Sequence, residues 1–228
     1  MTAFAATLDI ARSWRPFALQ SRSDETAPLV QARTSTSGDP DWELRCVEAA
    51  LAGNSAAFTP IVTHYSVRVY THIYRIVRSR EEAEDLTQDT FLRAHRYLVR
   101  FDASRPFRNW LYTIATNLAL NTLRTRKRRG VAVSIEANED GVAWDVPVSE
   151  VEGGLHYAER SELRDRLAAV IERLPVRTAS LIHLHYLEGM PIRDAGEILG
   201  MNESAAKVAL YRARKQLREW LIETEGRV

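Results

Sequence analysis

Residues 79–129 read SREEAEDLTQDTFLRAHRYLVRFDASRPFRNWLYTIATNLALNTLRTRKRR, and this stretch decides the fold. It begins as an acidic helical segment, continues through a short aromatic and basic loop, and ends in a helix that starts apolar and finishes cationic. This order predicts three adjacent surfaces: one suited to a cationic protein partner, one that can hold unstacked bases, and one for phosphates.

The acidic segment begins with Ser79 and Glu82, which have the spacing of a capping box. Carboxylates in the first turns of a helix also favour the positive end of its dipole. That explanation does not cover Asp85, Gln88 and Asp89 further along the helix. Their i, i+3, i+4 spacing makes a polar stripe, called the acidic stripe below. The stripe is either a solvated helix face or a surface that docks a protein partner.

The loop and the following helix supply candidate nucleic-acid contacts. Trp110 is predicted to be a buried anchor rather than a stacking platform. The helix ends with five cations in the six residues 124–129, more than capping requires and typical of phosphate binding. The candidate residues are Phe101, Asp102, Ser104, Arg105, Phe107, Arg108, Arg124, Arg126, Lys127 and Arg128.

Composition narrows the functional classes. The 228 residues carry a net charge of +1, and Cys46 is the only cysteine, so neither a disulfide within the chain nor a cysteine metal site is expected. The sequence has no Gly-rich phosphate loop, no set of metal ligands and no catalytic nucleophile with its partner residues. We therefore expect neither enzymatic activity nor a bound cofactor. His64 and His72 are interpreted as ordinary helix residues. No apolar run reaches the ~20 residues that span a bilayer, and a cytoplasmic protein is expected.

Four segments follow from the patterning, and the scarcity of β-branched alternation favours an all-α fold. Residues 1–40 are rich in Ser, Thr, Asp and Pro and predict a flexible extension, with a docking peptide as the alternative. Residues 41–129 predict one helical domain, in which helices cover about 55–78 and 79–98. Residues 130–157 contain six carboxylates and no Lys or Arg, which predicts a flexible acidic linker. Residues 158–228 predict a second helical domain.

The second domain ends in a helix-turn-helix pattern. A short helix after Pro191, a turn at 200–202 and a long basic helix have the required order. Val208, Leu210 and Leu217 include the positions expected to hold the last helix to the domain. A plain three-helix bundle with a basic face is the alternative. In such a motif the first residues of the second helix meet base edges, which assigns Glu203, Ser204, Ala206 and Lys207, while Tyr211, Arg212 and Lys215 are expected to grip phosphates or the groove wall.

Two blocks of the chain resemble bacterial sigma factors. The motif AEDLTQDTFLRAHR, followed by F-x5-F-x2-WLYTIATN and an Arg/Lys run, resembles sigma region 2. LPVRTASLIHLHYLEGMPIRDAGEILGMNESAAKVALYRARKQLREWL resembles sigma region 4. The resemblance covers about residues 42–129 and 158–222, and the short interval between them points to the extracytoplasmic-function (ECF) group.

The resemblance implies a role for each surface. Asp85, Gln88 and Asp89 match positions that dock on the clamp helices of the polymerase β′ subunit. The loop 102–108 matches the segment that captures an unstacked base of the −10 element, and Asn117, Arg124 and the following cations match −10 contacts. The last helix is implied to bind −35 duplex DNA, while the preceding helices face the β flap. An anti-sigma protein is a further family expectation.

Three positions depart from the family pattern. Thr116 stands where Arg is usual, Asn121 where an acid is common, and Ala209 where Arg is frequent in the recognition helix. These departures leave the promoter sequence open. The competing function is a stand-alone helix-turn-helix regulator in which residues 42–129 form a sensor domain.

Overall fold

The computed structural model describes residues 41–129 and 167–225, with side chains to residue 222, and contains no β-strand in these stretches. The predicted all-α fold is confirmed for this part of the chain. The predictions for 1–40 and 130–157 lie outside the described residues. The α-helices with both ends inside these stretches are α1 Trp42–Leu51, α2 Thr59–Val77, α3 Arg80–Arg96, α4 Phe107–Arg128, α5 Val176–Ile182, α6 Ile192–Ile198 and α7 Glu203–Glu225.

The chain divides into two compact units. Among the described residues, the first contains 41–74 and 79–118, and the second contains 75–78, 119–129 and 167–225. This division by contacts does not test the predicted sequence boundaries 41–129 and 158–228, which stay predictions.

The first unit has its core on the predicted apolar face of α2. Ile61, Tyr65, Val69 and Ile73 are at most 3% exposed, because three- and four-residue spacing places them on one side of the helix. Trp42 of α1 packs 6.4 Å from the Tyr65 ring. The Tyr65 hydroxyl donates a hydrogen bond to Glu43, and burial followed by the nearby Glu43 charge raises the pKa of Tyr65. These contacts hold α1 to α2.

Helix α3 starts where the capping pattern predicts. Ser79 is in extended conformation, and its Oγ accepts a hydrogen bond from the Glu82 backbone N–H at 3.4 Å. Arg78 immediately before it has φ +55°, a left-handed conformation that separates α2 from α3. The buried side of α3 includes Ala83, Phe91 and Ala94. Its opposite side is therefore available to solvent.

The second unit contains the helix-turn-helix. The turn between α6 and α7 has Gly200 at φ +67°, and Asn202 caps α7 by accepting the Ala205 N–H at 2.8 Å. Ala206, Leu210 and Ala213 of α7 are buried at i, i+4, i+7 spacing. Val208, which was predicted among the positions holding the helix, is 48% exposed, so this prediction is wrong. It lies two residues from both Ala206 and Leu210, off the face they share.

Helix α5 continues through a π-helical turn. Helix α5 is followed directly by the wide turn His183–Leu187. His183 lies in this turn, 4% exposed, with its Nε2 3.6 Å from Glu188 Oε1. His185 Nδ1 hydrogen-bonds to the Met190 carbonyl at 2.8 Å, across Gly189 at φ +64°. The wide turn thus leads directly into α6.

Candidate nucleic-acid and protein interfaces

The acidic stripe on α3 faces outward. Asp85 is exposed and Gln88 and Asp89 are partly exposed. On the inward side, the hydroxyls of Thr87 and Thr90 are buried and donate to the carbonyls four residues earlier, at 2.6 and 2.7 Å. Hydrogen bonds within α3 therefore satisfy both buried hydroxyls. The stripe lies on the opposite side of the helix and faces solvent.

Asp89 already has a cationic neighbour. Arg93 Nε lies 3.0 Å from both Asp89 carboxylate oxygens, and Arg93 Nη2 lies 3.0 Å from one of them. The two side chains are 41% and 49% exposed, so the pair contributes at most about 1 kcal/mol. A guanidinium or ammonium from a partner protein can therefore replace Arg93 at little cost.

The loop after α3 is shaped by an Asp turn. Asp102 Oδ1 accepts the Ser104 backbone N–H at 2.9 Å, and the Asp102 carbonyl accepts the Arg105 N–H at 3.0 Å. The backbone hydrogen bond from Ser104 is the main reason that the pKa of Asp102 is lowered. Asp102, Ser104 and Arg105 are all exposed. The turn therefore presents one carboxylate, one hydroxyl and one cation together.

An aromatic cluster lies beneath this loop. The rings of Phe101, Phe107 and Trp110 are 5.3 to 5.6 Å apart, tilted or edge to face. Phe107 is 2% exposed and also packs 6.3 Å from Phe58. Phe107 was predicted as a −10 contact, but its burial assigns it to supporting the loop from below. Trp110, predicted to be buried, is partly exposed, and so is Phe101.

Helix α4 presents exposed amides and cations. Asn117 and Asn121 are exposed, and Arg124 Nη1 donates to Asn121 Oδ1 at 2.7 Å. Within the second unit, a shallow groove of about 600 Å³ lies along Asn121, Arg124, Thr125, Lys127 and Arg128. Anionic oxygens fit this lining of amide and guanidinium donors.

Arg126 has a structural contact that the charge run did not reveal. Its Nη1 donates to the Val77 carbonyl at 2.9 Å, and the side chain is only partly exposed. This bond satisfies a carbonyl at the end of α2. Arg126, predicted as a −10 contact, therefore ties α4 to the end of α2. The neighbouring cations Arg124, Lys127, Arg128 and Arg129 are exposed.

Thr116 is fully buried. It hydrogen-bonds to His72 of α2, with Nε2 and Oγ1 2.8 Å apart and both residues 0% exposed. The departure from Arg at this position therefore changes the core and not the exposed face. The sequence pattern missed this pair, although a His on the apolar side of α2 was a signal for a buried polar partner.

Helix α7 presents most of the predicted −35 residues. Glu203, Ser204, Lys207, Arg212 and Lys215 are exposed, and Tyr211 is 71% exposed. Ala206 is the exception, since it is 0% exposed and faces Gly196 of α6. Its assignment to base edges is thus wrong. A buried alanine here lets the two helices approach closely.

Glu203 and Lys207 pair with each other. Lys207 Nζ lies 2.6 Å from Glu203 Oε1, one turn apart on α7. The hydrogen bond from Lys207 lowers the pKa of Glu203. Both groups are solvent-exposed, so either can exchange its partner for DNA.

Two kinds of feature are not found in the described stretches. They contain no helix that is long and apolar enough to cross a membrane. They also contain no group of three or more His, Cys, Asp or Glu side chains able to hold a metal ion.

Both halves of the chain match models of one protein family. Residues 61–129 match sigma-70 region 2, and residues 164–217 match sigma-70 region 4. The chain is 30% identical over 180 residues to the ECF RNA polymerase sigma factor SigW of Bacillus subtilis, an alignment covering 74% of this chain and 91% of SigW. This chain is an ECF sigma factor of the sigma-70 family.

Other relatives agree. The ECF sigma factor BldN of Streptomyces coelicolor is 32% identical over 186 residues, covering 81% of this chain and 68% of BldN. Two solved structures share the fold at 23% identity: CnrH in complex with the cytosolic domain of CnrY, with a TM-score of 0.55, and RpoE of Bartonella quintana in complex with the anti-sigma factor NepR, with a TM-score of 0.52. They cover 80% and 72% of this chain, and 99% and 96% of their own chains.

Membership of the family establishes the function. This ECF sigma factor binds core RNA polymerase and directs transcription initiation at promoters. The match to region 2 accounts for residues 61–129, so the alternative of a sensor domain attached to a stand-alone regulator is not favoured.

Proposed function

We propose that the sigma factor docks on the clamp helices of β′ through the acidic stripe Asp85, Gln88 and Asp89. The observation that carries the proposal is the outward orientation of this stripe, opposite two buried threonines that bond within the helix. The exchangeable Arg93 contact supports it, because it keeps the Asp89 carboxylate in place for a cation from the partner.

The −10 element is bound by the loop over the aromatic cluster and by α4. The exposed groups Asp102, Ser104 and Arg105, with Phe101 and Arg108, surround the extruded base. Asn117, Arg124, Lys127 and Arg128 contact the strand, since the amide and the cations are solvent-exposed. Phe107 and Arg126 support these contacts from within the unit.

The −35 element is bound in the major groove by α7. Glu203, Ser204 and Lys207 meet base edges, and Tyr211, Arg212 and Lys215 hold phosphates or the groove wall. Support comes from the exposure of all six residues. Ala206 is left out because it is buried against α6.

The remaining assignments concern partners and location. The helices before α7 face the β flap, and the sigma factor acts in the cytoplasm without enzymatic activity. An anti-sigma protein binds it, a proposal supported by the likeness to two sigma factors solved with such partners. The chain begins with an extension over residues 1–40 and region 2 over 41–129. An acidic linker over 130–157 then leads to region 4 over 158–228.

The docking proposal is tested by changing Gln88→Lys and Asp89→Lys together. We expect affinity for core polymerase to fall at least about 100-fold, because like charges then face the partner's cations. The measurement is pull-down of core enzyme, with helix content and thermal melting followed by circular dichroism.

A control variant carries the same charge change elsewhere. Glu48→Lys with Asn54→Lys also replaces one acid and one amide, at two exposed positions on and after α1. It should bind core polymerase as the unmodified protein does. Normal pull-down by the Gln88→Lys, Asp89→Lys variant would overturn the proposal.

A further inference from the structure

A buried hydrogen bond joins α2 to the middle of α4. His72 Nε2 and Thr116 Oγ1 share a hydrogen bond of 2.8 Å, and both residues are fully buried. The His72 ring also packs edge-on against Tyr112, with centroids 5.2 Å apart. Tyr112 and Thr116 are one turn apart on α4, so His72 contacts two successive turns of the same helix face.

The surroundings of Thr116 give this bond its importance. Ala115 and Ala119, beside it on α4, are also fully buried. Alanine side chains are too small to interdigitate with the neighbouring helix, and burial of apolar surface has no preferred direction. A hydrogen bond in a dry interior is directional, and losing it leaves a buried polar group without its partner. The His72–Thr116 bond is therefore a directional contact that favours one rotation of α4 about its axis.

The residue that follows is exposed and belongs to the proposed −10 surface. Asn117 is 100° around α4 from Thr116, given 3.6 residues per turn. A rotation of α4 by about 20° would move a side-chain amide roughly 2 Å, because such a group lies about 6 Å from the helix axis. Movements of about 1 Å are enough to weaken a positioned contact strongly.

We propose that His72 and Thr116 are positioning residues for promoter opening: their bond sets the rotation of α4 that presents Asn117 to the −10 strand. This proposal rests on the −10 role of Asn117 given above. It assigns a function in DNA opening to two residues that never touch DNA, polymerase or the reacting strand.

The test uses two variants that differ in one hydroxyl. Thr116→Ser and Thr116→Ala both remove the methyl group, but only Ser keeps the hydroxyl that bonds to His72. Open-complex formation is measured by permanganate reactivity of −10 thymines with core polymerase. We expect Thr116→Ser to stay near the unmodified protein and Thr116→Ala to lose about tenfold. Core-polymerase affinity should change less than about twofold in both, because the acidic stripe is on α3.

Helix propensity helps to separate positioning from stability. Alanine favours a helix more than serine does, so propensity alone would make Thr116→Ala the more stable of the two. Thermal melting of both variants identifies a folding defect directly. Equal open-complex formation by the two variants would overturn the proposal, and so would a parallel loss of melting temperature, core affinity and opening in Thr116→Ala.

A double-mutant cycle with Asn117→Ala tests whether the effect acts through Asn117. If rotation of α4 is the cause, Asn117→Ala should have a smaller effect on opening in the Thr116→Ala background than alone. Fully additive effects would overturn the positioning role while leaving the −10 role of Asn117 intact. No effect of Asn117→Ala alone would instead overturn the −10 role, and the positioning proposal with it.

Discussion

Single residues set the local geometry of the proposed DNA contacts. In the loop 102–108, the Asp102 carboxylate holds the turn by accepting the Ser104 N–H. In α7, Lys207 is held by Glu203 before any DNA arrives. Each of these contacts is exposed, so each responds to pH or salt in a way that can be measured.

The Asp102 turn should depend on pH. The pKa of Asp102 is lowered in the folded chain, mainly by the Ser104 backbone hydrogen bond. The stabilisation is therefore complete above the pKa of an unfolded aspartate and is lost as the pH falls through the lower, folded value. We expect NMR titration of the Asp102 carboxyl and the Ser104 amide to give one shared midpoint below that of an ordinary aspartate.

The matched control is Asp102→Asn, which keeps an acceptor oxygen but cannot titrate. Its Ser104 amide should be insensitive to pH over the same range. A midpoint for Asp102 at or above that of an ordinary aspartate would contradict the role of this turn.

The Glu203–Lys207 pair should restrain binding of duplex DNA. Glu203→Gln removes a negative charge and frees Lys207 for a phosphate or a base edge. We expect the variant to bind duplex DNA several-fold more tightly at low salt, with the gain shrinking at high salt, because exposed charges are screened. Fluorescence anisotropy across a salt series measures this change.

Glu219→Gln provides the comparison for that measurement. It makes the same charge change at an exposed position of α7 about 24 Å further along the helix, at 1.5 Å rise per residue. An equal gain in both variants would attribute the effect to net charge rather than to the freed Lys207.

At the level of elements, the approach of α6 and α7 shapes the helix-turn-helix. A Cβ on Gly196 would lie 3.0 Å from the Ala206 Cβ and 3.2 Å from the Met201 carbonyl. Such contacts are tighter than nine in ten real Cβ contacts, so a side chain at this position would push against Ala206 and the Met201 carbonyl. The same approach is what buries Ala206 and orients Glu203, Ser204 and Lys207 outward.

Gly196→Ala should therefore destabilise the second unit. An open helical site would gain up to about 1 kcal/mol from alanine, but the clash here should cost about 1–3 kcal/mol. Amide hydrogen exchange in α6 and α7 is expected to speed up, with weaker binding of −35 duplex DNA. Gly189→Ala, where a Cβ meets open space but φ is +64°, measures backbone strain without a clash. Slower exchange in Gly196→Ala would show that the helices are not in close contact.

At the scale of the whole molecule, the two proposed DNA-binding surfaces should depend on core polymerase to act together. Each proposed contact set is small, and base extrusion costs a few kcal/mol. When core polymerase binds the chain, the second contact becomes effectively intramolecular, which raises the overall affinity. The sigma factor alone should therefore show little preference for a promoter.

Promoter binding should accordingly depend on core polymerase. We expect the chain alone to bind promoter and non-promoter fragments alike, and core polymerase to raise promoter affinity by about 100-fold or more. Gel-shift and transcription assays on genomic fragments measure both properties. The Gln88→Lys, Asp89→Lys variant is the control that should lose the gain. Sequence-specific binding without core polymerase would favour the stand-alone regulator.

Much of the fold could be predicted because it depends on local chemistry. The cap at Ser79, the cap at Asn202 and the turn at Gly200 follow from residue types that suit those backbone conformations. Apolar spacing predicted that this helix ends near residue 78, and α2 ends at Val77. Two sequence blocks in the expected order were enough to indicate the family, which the region 2 and region 4 matches confirm.

The tertiary structure decided which side chain on each predicted surface reaches solvent. Phe107 and Ala206 turned inward, Val208 turned outward, and Arg126 became a tie to a carbonyl. Thr116 gained a buried partner 44 residues away. Spacing along one helix relates its residues only to one another. Which of its faces is buried depends on the shape and polar groups of the neighbouring helix, and these become adjacent only when the chain has folded.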